Sequence, residues 1–197
     1  MTYHLTDYNS DFEFLLEIKT FLKNYQNQID SRNYQDILKK GKYFQLEDGR
    51  CIRIVLPQRN TVFENVSLDD NLYFECFVGF AKQREEISEE VRREVWTLDS
   101  RLIEEFSKHT DILAYVSAQR KGVEDWGNMV LLKSREAIDK WRYCPVHQEA
   151  VTDISPKYYT KVRIHRGQVQ NGETKAEQTL FLDYTGTELL RTEHLWI

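Results

Sequence analysis

The chain has 197 residues, 41% of them hydrophobic and 13% aromatic, with 8 glycines and 3 prolines, which is enough to bury a core and excludes the disordered and fibrous classes. Its 27 basic and 32 acidic residues interleave to a net charge of -5, which speaks against nucleic-acid binding through a broad basic face. Cys51, Cys76 and Cys144 are too scattered for a disulfide framework, MTYHLTDYNSDFEF lacks a signal-peptide pattern, and no apolar run approaches the roughly 20 residues of a membrane span; a soluble cytoplasmic protein is expected.

Ser10, followed three residues on by Glu13, has the form of a capping box, and Phe14, Ile18, Phe21, Leu22, Tyr25 and Ile29 recur at helical spacing behind it. Asp30 or Ser31 starts a second, short helix through Tyr34, Ile37 and Leu38, closed by Lys39, Lys40 and Gly41, so the chain opens on a helical hairpin. From Lys42 the period changes. YFQLE, Asp48-Gly49 and RCIRIVL predict a β-hairpin with a type I′ turn, in which Glu47 faces Arg50. PQRNTVFENVSLDDN, residues 57–71, has no sustained period and reads as a loop, a candidate lid or boundary.

Leu72 to Ala81 is apolar on both alternating faces, as a strand covered on both sides is. Ser88 caps a helix carrying Val91, Val95, Leu98, Leu102 and Phe106, and strands follow at 111–120 and 126–133. Ser134 caps a second helix with Ala137, Ile138 and Trp141; Pro145 breaks it and begins afresh at a first helical position, with Cys144 before it. A long strand then covers 157–169, and its stripe of Tyr159, Lys161, Arg163 and His165 reads as a solvated face. The order β, α, β, β, α, β over 72–169 predicts an α+β fold with a ferredoxin-like βαββαβ core. The N-terminal helical hairpin and β-hairpin, residues 1–70, are expected to pack on this core; residues 71–197 form the core domain and end in a C-terminal β-hairpin around Thr185-Gly186.

LLKSREAIDKWRYCPVHQEAV resembles the second-helix signature of the antibiotic-biosynthesis-monooxygenase-like families in the dimeric α/β barrel superfamily, through Ser134, Ala137, Trp141, Cys144-Pro145 and His147. That resemblance implies a sheet whose helix-free face packs against a second subunit, hence a homodimer. The apolar second face of 72–81 asks independently for a cover, which a partner or the N-terminal hairpin would provide. The haem-degrading branch uses an Asn, a Trp and an axial His; here the Trp position falls on Leu132 and the His position on Val151, so its catalytic set is not carried over.

Among residues that suit chemistry, His147 has the titration range of a general base or ligand. Trp126 and Asn128 share one strand face, and Tyr115 and Ser117 share a face of its neighbour, which together make a small-molecule pocket or packed core. Cys144-Pro145-Val146-His147 resembles a Cys-Pro haem regulatory motif, which makes haem the one cofactor raised. No clustered Cys/His ligand set marks a metal site, and no Gly-rich phosphate loop, GxSxG or HExxH occurs. The expected function is a non-catalytic scaffold or interaction module, with a protein partner engaged through the first 70 residues. The alternatives are a small-molecule-binding or monooxygenase-like protein with a pocket near Trp126, Asn128 and His147, and a haem-binding protein using His147 or Cys144.

Overall fold

The alternation of Leu72–Ala81 builds the middle of a sheet. The computed structural model describes residues 6–28, 41–57, 65–69, 71–123 and 125–196. Its strands are β1 (Lys42–Gln45), β2 (Cys51–Val55), β3 (Leu72–Ala81), β4 (Ile112–Gln119), β5 (Trp126–Leu132), β6 (Tyr159–Gln170), β7 (Glu173–Asp183) and β8 (Leu190–Leu195). They form one antiparallel sheet of eight strands in the order β1-β2-β4-β5-β3-β6-β7-β8. The helices are α1 (Thr6–Gln28), α2 (Glu89–Phe106), α3 (Arg135–Arg142), α4 (Pro145–Glu149) and α5 (Ser155–Tyr158), with one π-helical turn, Ala150–Ile154, joining the last two. The fold class is α+β. No helix among the described residues is long and apolar enough to cross a membrane.

Each face of the sheet has its own core. On one, Phe14, Leu15, Ile18 and Leu22 of α1 pack on Phe74, Cys76 and Val78 of β3, Met129 and Leu131 of β5, and Ile52 and Ile54 of β2. Full burial of each such aliphatic or aromatic side chain is worth about 1.5–3 kcal/mol, so this stripe is ample reason for α1 to stay docked. Gly127 permits the approach: a Cβ there would stand 2.5 Å from Phe14 Cε1. On the other face, Ile103 and Phe106 of α2 and Ala137, Ile138 and Trp141 of α3 pack on Val130 and Leu132 of β5 and Val55 of β2. The second apolar face of β3 is therefore covered within the chain, by α1.

A buried charge group pins α1. Asp11 accepts from Arg163 Nη2 at 2.9 Å, lies 2.9 Å from His165 Nε2, and has Arg120 Nη2 at 3.7 Å. His165 Nδ1 is 2.8 Å from Thr179 Oγ1, and Trp196 Nε1 donates to that same oxygen. The solvated stripe read on β6 is thus corrected: Arg163 and His165 are 7% and 1% exposed, because α1 lies over them and supplies the carboxylate. Tyr159 leaves that stripe altogether, since a register shift at Phe80/Ala81 turns it to the α2 side beside Phe77.

Other differences are local. Helix α1 begins at Thr6, so Ser10 and Glu13 lie inside it; contacts of Tyr8 with His165 and Trp196 support the earlier turn. The first hairpin turns through three residues, Glu47-Asp48-Gly49, rather than a two-residue type I′ turn. Leu46 N–H donates to Arg50 at 2.8 Å, only Gly49 has positive φ, and Arg50 faces Leu46 instead of Glu47. The second short helix expected over 30–40 lies outside the described residues, as do 58–64 and 70 of the expected loop. β6 starts at Tyr159 rather than Lys157, because Ser155–Tyr158 is helical. β7 begins at Glu173, five residues before the expected start, since Asn171 (φ 53°) and Gly172 (φ 79°) make a tight hairpin with β6.

Candidate functional site: a cleft between the sheet and helix α2

Strand parity that sends Phe74, Cys76 and Met129 toward α1 sends Glu75, Phe77 and Asn128 toward α2. Asn128 pairs with Ser117 across β4 and with Phe77 across β3, so the four strands β2, β4, β5 and β3 present one polar and aromatic floor. Above it stand α2 and the helical segment 145–158. Two adjoining hollows lie between. The outer, of about 260 Å³, is lined by Tyr43, Arg53, Trp96, Asp99, Ser117 and Trp126 among others. The inner, of about 170 Å³, is lined mostly by apolar side chains, with Glu75, His147 and Tyr184. Phe77, Tyr115, Asn128 and Tyr159 wall both.

Of the residues singled out in sequence, Trp126, Asn128, Tyr115 and Ser117 line the outer hollow, and Tyr115, Asn128 and His147 the inner. Cys144 lines neither. It caps α4, its sulfur accepting the His147 N–H at 3.4 Å, and burial pushes its thiol up. Pro145 starts that helix as its spacing requires, and so sets His147 in the first turn, its ring 5.1 Å from Trp141. Trp141 is itself stacked on Phe106 at 4.5 Å.

The charges of the outer hollow are largely neutralised. Arg53 makes a two-pronged pair with Asp99 of α2, both contacts 2.7 Å, donates to Ser117 Oγ at 3.2 Å, and lies over the Tyr43 and Tyr115 rings. Arg92 is held by Glu89 and by backbone carbonyls of Arg84 and Ile87. Tyr115, packed against Phe106, has its phenol pushed up to about 12, first by burial and then by Asp99. It is a neutral hydroxyl at every physiological pH.

In the inner hollow the polar groups are few and under-used. His147 Nδ1 is buried with no hydrogen bond completed, and burial holds its imidazole below the ordinary histidine range, with the nearby Glu75 charge and the Arg142 backbone pulling the other way. The Tyr184 hydroxyl is also buried with Ser155 close but no hydrogen bond completed; burial lifts it to about 12. Glu75 is closed off by Arg166 Nε at 2.6 Å. Asn128 makes no side-chain hydrogen bond among the described residues. A neutral imidazole, an amide and a phenol face a hollow whose other walls are apolar, which is the make-up of a small-molecule site.

Sequence reading missed Tyr43, Arg53, Asp99 and Glu75. Arg53 and Glu75 had a signal: each is a charge inside an otherwise apolar strand. Tyr43 and Asp99 had none, because only Arg53, which reaches both of them in the folded chain, gives them meaning.

No family model matches the chain, and no curated protein does. Among solved structures it is similar to protein SO0527 from Shewanella oneidensis, with TM-score 0.42 and 9% identity, over 54% of this chain and 93% of that one. It is also similar to FN1347 from Fusobacterium nucleatum subsp. nucleatum, named as a monooxygenase candidate, with TM-score 0.42 and 12% identity over 57% of this chain and 48% of that one. Likeness at this level carries neither activity nor ligand to the present chain.

Proposed function

We propose that the chain is a small-molecule-binding protein on a ferredoxin-like core, and that its ligand occupies the cleft between the sheet and α2. The order β4-β5-β3-β6, with helices following β3 and β5, supports that core. The observation that carries the function is the inner hollow, lined by His147 and Tyr184, where His147 Nδ1 and the Tyr184 hydroxyl are buried with no hydrogen bond completed. Buried polar atoms are nearly always satisfied, so two such atoms on residues that line one mostly apolar hollow are best explained by a ligand that completes them. Each hollow alone is smaller than the roughly 300–1,000 Å³ typical of ligand sites, and together they enter that range.

The complementary ligand is neutral, largely apolar or aromatic, and carries a hydrogen-bonding group at its buried end. A free charge would find the nearest ions, Arg53 with Asp99 and Glu75 with Arg166, already paired. The chemistry available is proton acceptance by the neutral His147, so a monooxygenase-like or other enzymatic role would start there. Since α1 covers the sheet face through which a barrel dimer closes, binding is assigned to a single chain rather than to a homodimer interface. A cytoplasmic setting belongs to the same reading, with its three cysteines unpaired.

The test is a set of neutral aromatic amides and phenols, screened by thermal shift and tryptophan fluorescence on wild type and on an Asn128→Leu, His147→Phe variant. Hits on wild type that the variant loses are expected. If wild type takes none, or the variant binds them equally well, the cleft is not the site. A haem titration on the same proteins adds a second arm: a Soret shift lost in both His147→Ala and Cys144→Ala would replace this reading with haem binding.

A further inference from the structure

Away from the cleft, the end of α2 and the break between α3 and α4 converge on three side chains of mixed donor type. Glu105 Oε1 lies 3.7 Å from His109 Nε2, and both side chains are mostly buried, at 15% and 18% exposure. Cys144 Sγ joins them, with all three donor atoms within 4.8 Å of one another. Two donors each about 2.0–2.3 Å from a tetrahedral ion stand about 3.3–3.8 Å apart. Glu105 and His109 already have that spacing, and the sulfur needs to close by about 1 Å.

The surroundings hold these donors in place. His109 N–H donates to Phe106 and its carbonyl accepts from Ile112, both at 3.1 Å, which fixes the turn after α2. Cys144 N–H donates to Trp141 at 3.1 Å, and its sulfur accepts the His147 N–H at 3.4 Å, which holds the sulfur at the start of α4. Lys108 Nζ takes Glu105 Oε2 at 2.6 Å and so leaves Oε1 turned to His109.

We propose that Glu105, His109 and Cys144 bind a zinc ion, with water as the fourth donor. One thiolate, one imidazole and one carboxylate suit zinc, whereas calcium and magnesium select all-oxygen sets and copper(I) prefers more sulfur. Binding forms the sulfur–zinc bond and releases the thiol proton to solvent. It ties the end of α2 to the α3–α4 junction. The His109 ring stands edge-on to Trp141 at 5.6 Å, so the ion would brace a side chain that also walls the inner hollow.

Cobalt(II) tests this by spectrum as well as by affinity. The full chain, stripped with chelator, is expected to take one cobalt ion with a thiolate charge-transfer band and the strong visible absorption of tetrahedral cobalt, and zinc is expected to displace it. Cys144→Ser keeps a helix-capping side chain. It should abolish the charge-transfer band and weaken zinc binding by more than about 100-fold, beyond the 10- to 100-fold typical of changes outside the ligand set. Glu105→Gln and His109→Ala, on the other segment, should each weaken zinc binding as well while circular dichroism stays unchanged. No metal taken up by folded wild type, or uptake undiminished in any one of the three variants, overturns the site.

Discussion

Trp141 stacks on Phe106, meets His109 edgewise and a tilted His147 ring, and is 4% exposed. Trp141→Ala should therefore cost about 3–5 kcal/mol by denaturant titration, the sum of lost transfer energy and a cavity that α3 cannot collapse into. A cost under about 1 kcal/mol would mean that the indole carries no core packing. His147 makes a second prediction, in pH. Its folded value lies below the unfolded one, near 6.5, so its neutral form is the one the fold accepts. The stability it supports is fully present above about pH 6.5 and is lost as pH falls through the depressed folded value, because the unfolded chain takes up the proton first. His147→Gln should flatten this acid-side loss in melting temperatures measured across pH 5–7. Much at this scale was legible in sequence. Trp141 and the pairs Tyr115/Ser117 and Trp126/Asn128 fall where period and parity put them. Arg163 and His165 could not be placed, because the carboxylate that buries them sits more than 150 residues away on α1.

At the scale of elements, β3, α2, β5 and the break at Pro145 were read almost to the residue, since each follows one dominant rule of period or capping. The failures mark competing rules. Asp48-Gly49 has the dipeptide of a two-residue turn, yet the alternation of β1 and β2 aligns only when Glu47 joins the loop. The Asn171-Gly172 turn carries an equally strong dipeptide signal, which the charged stretch after it masks. Ile18 is 0% exposed in the α1-facing core, so Ile18→Asp should release the helix and bare the sheet face beneath. Sedimentation is expected to show wild type as a monomer and the variant as dimers or larger species, with raised binding of a hydrophobic dye. A variant that stays monomeric and dye-silent would say that α1 is not what keeps this face closed.

For the whole molecule, the sheet extends beyond the four central strands on both sides, with β2 and β1 added beside β4, and β7 and β8 beside β6. The additions serve different ends. β2 brings Arg53 to Asp99 and so shapes the cleft mouth, while β7 and the residue after β8 bring Thr179 and Trp196 to the pin that holds α1. Cleft and pin occupy opposite faces of one sheet, so mutations on one face should leave the other's readout unchanged unless they disturb β3, β5 or β6.

Asp11 reaches Arg163 and His165 across 152 and 154 positions, which places α1 against a strand made long after it. At ribosomal speeds of about 5–20 residues per second, roughly 8–30 s separate the appearance of α1 from that of its anchors. For most of that interval the stripe of Phe14, Leu15, Ile18 and Leu22 waits for Met129 and Leu131 of β5, which complete the surface it rests on. Closing so long a loop also makes docking a late and slow event in refolding from denaturant. Helix α1 is made long before its seat is.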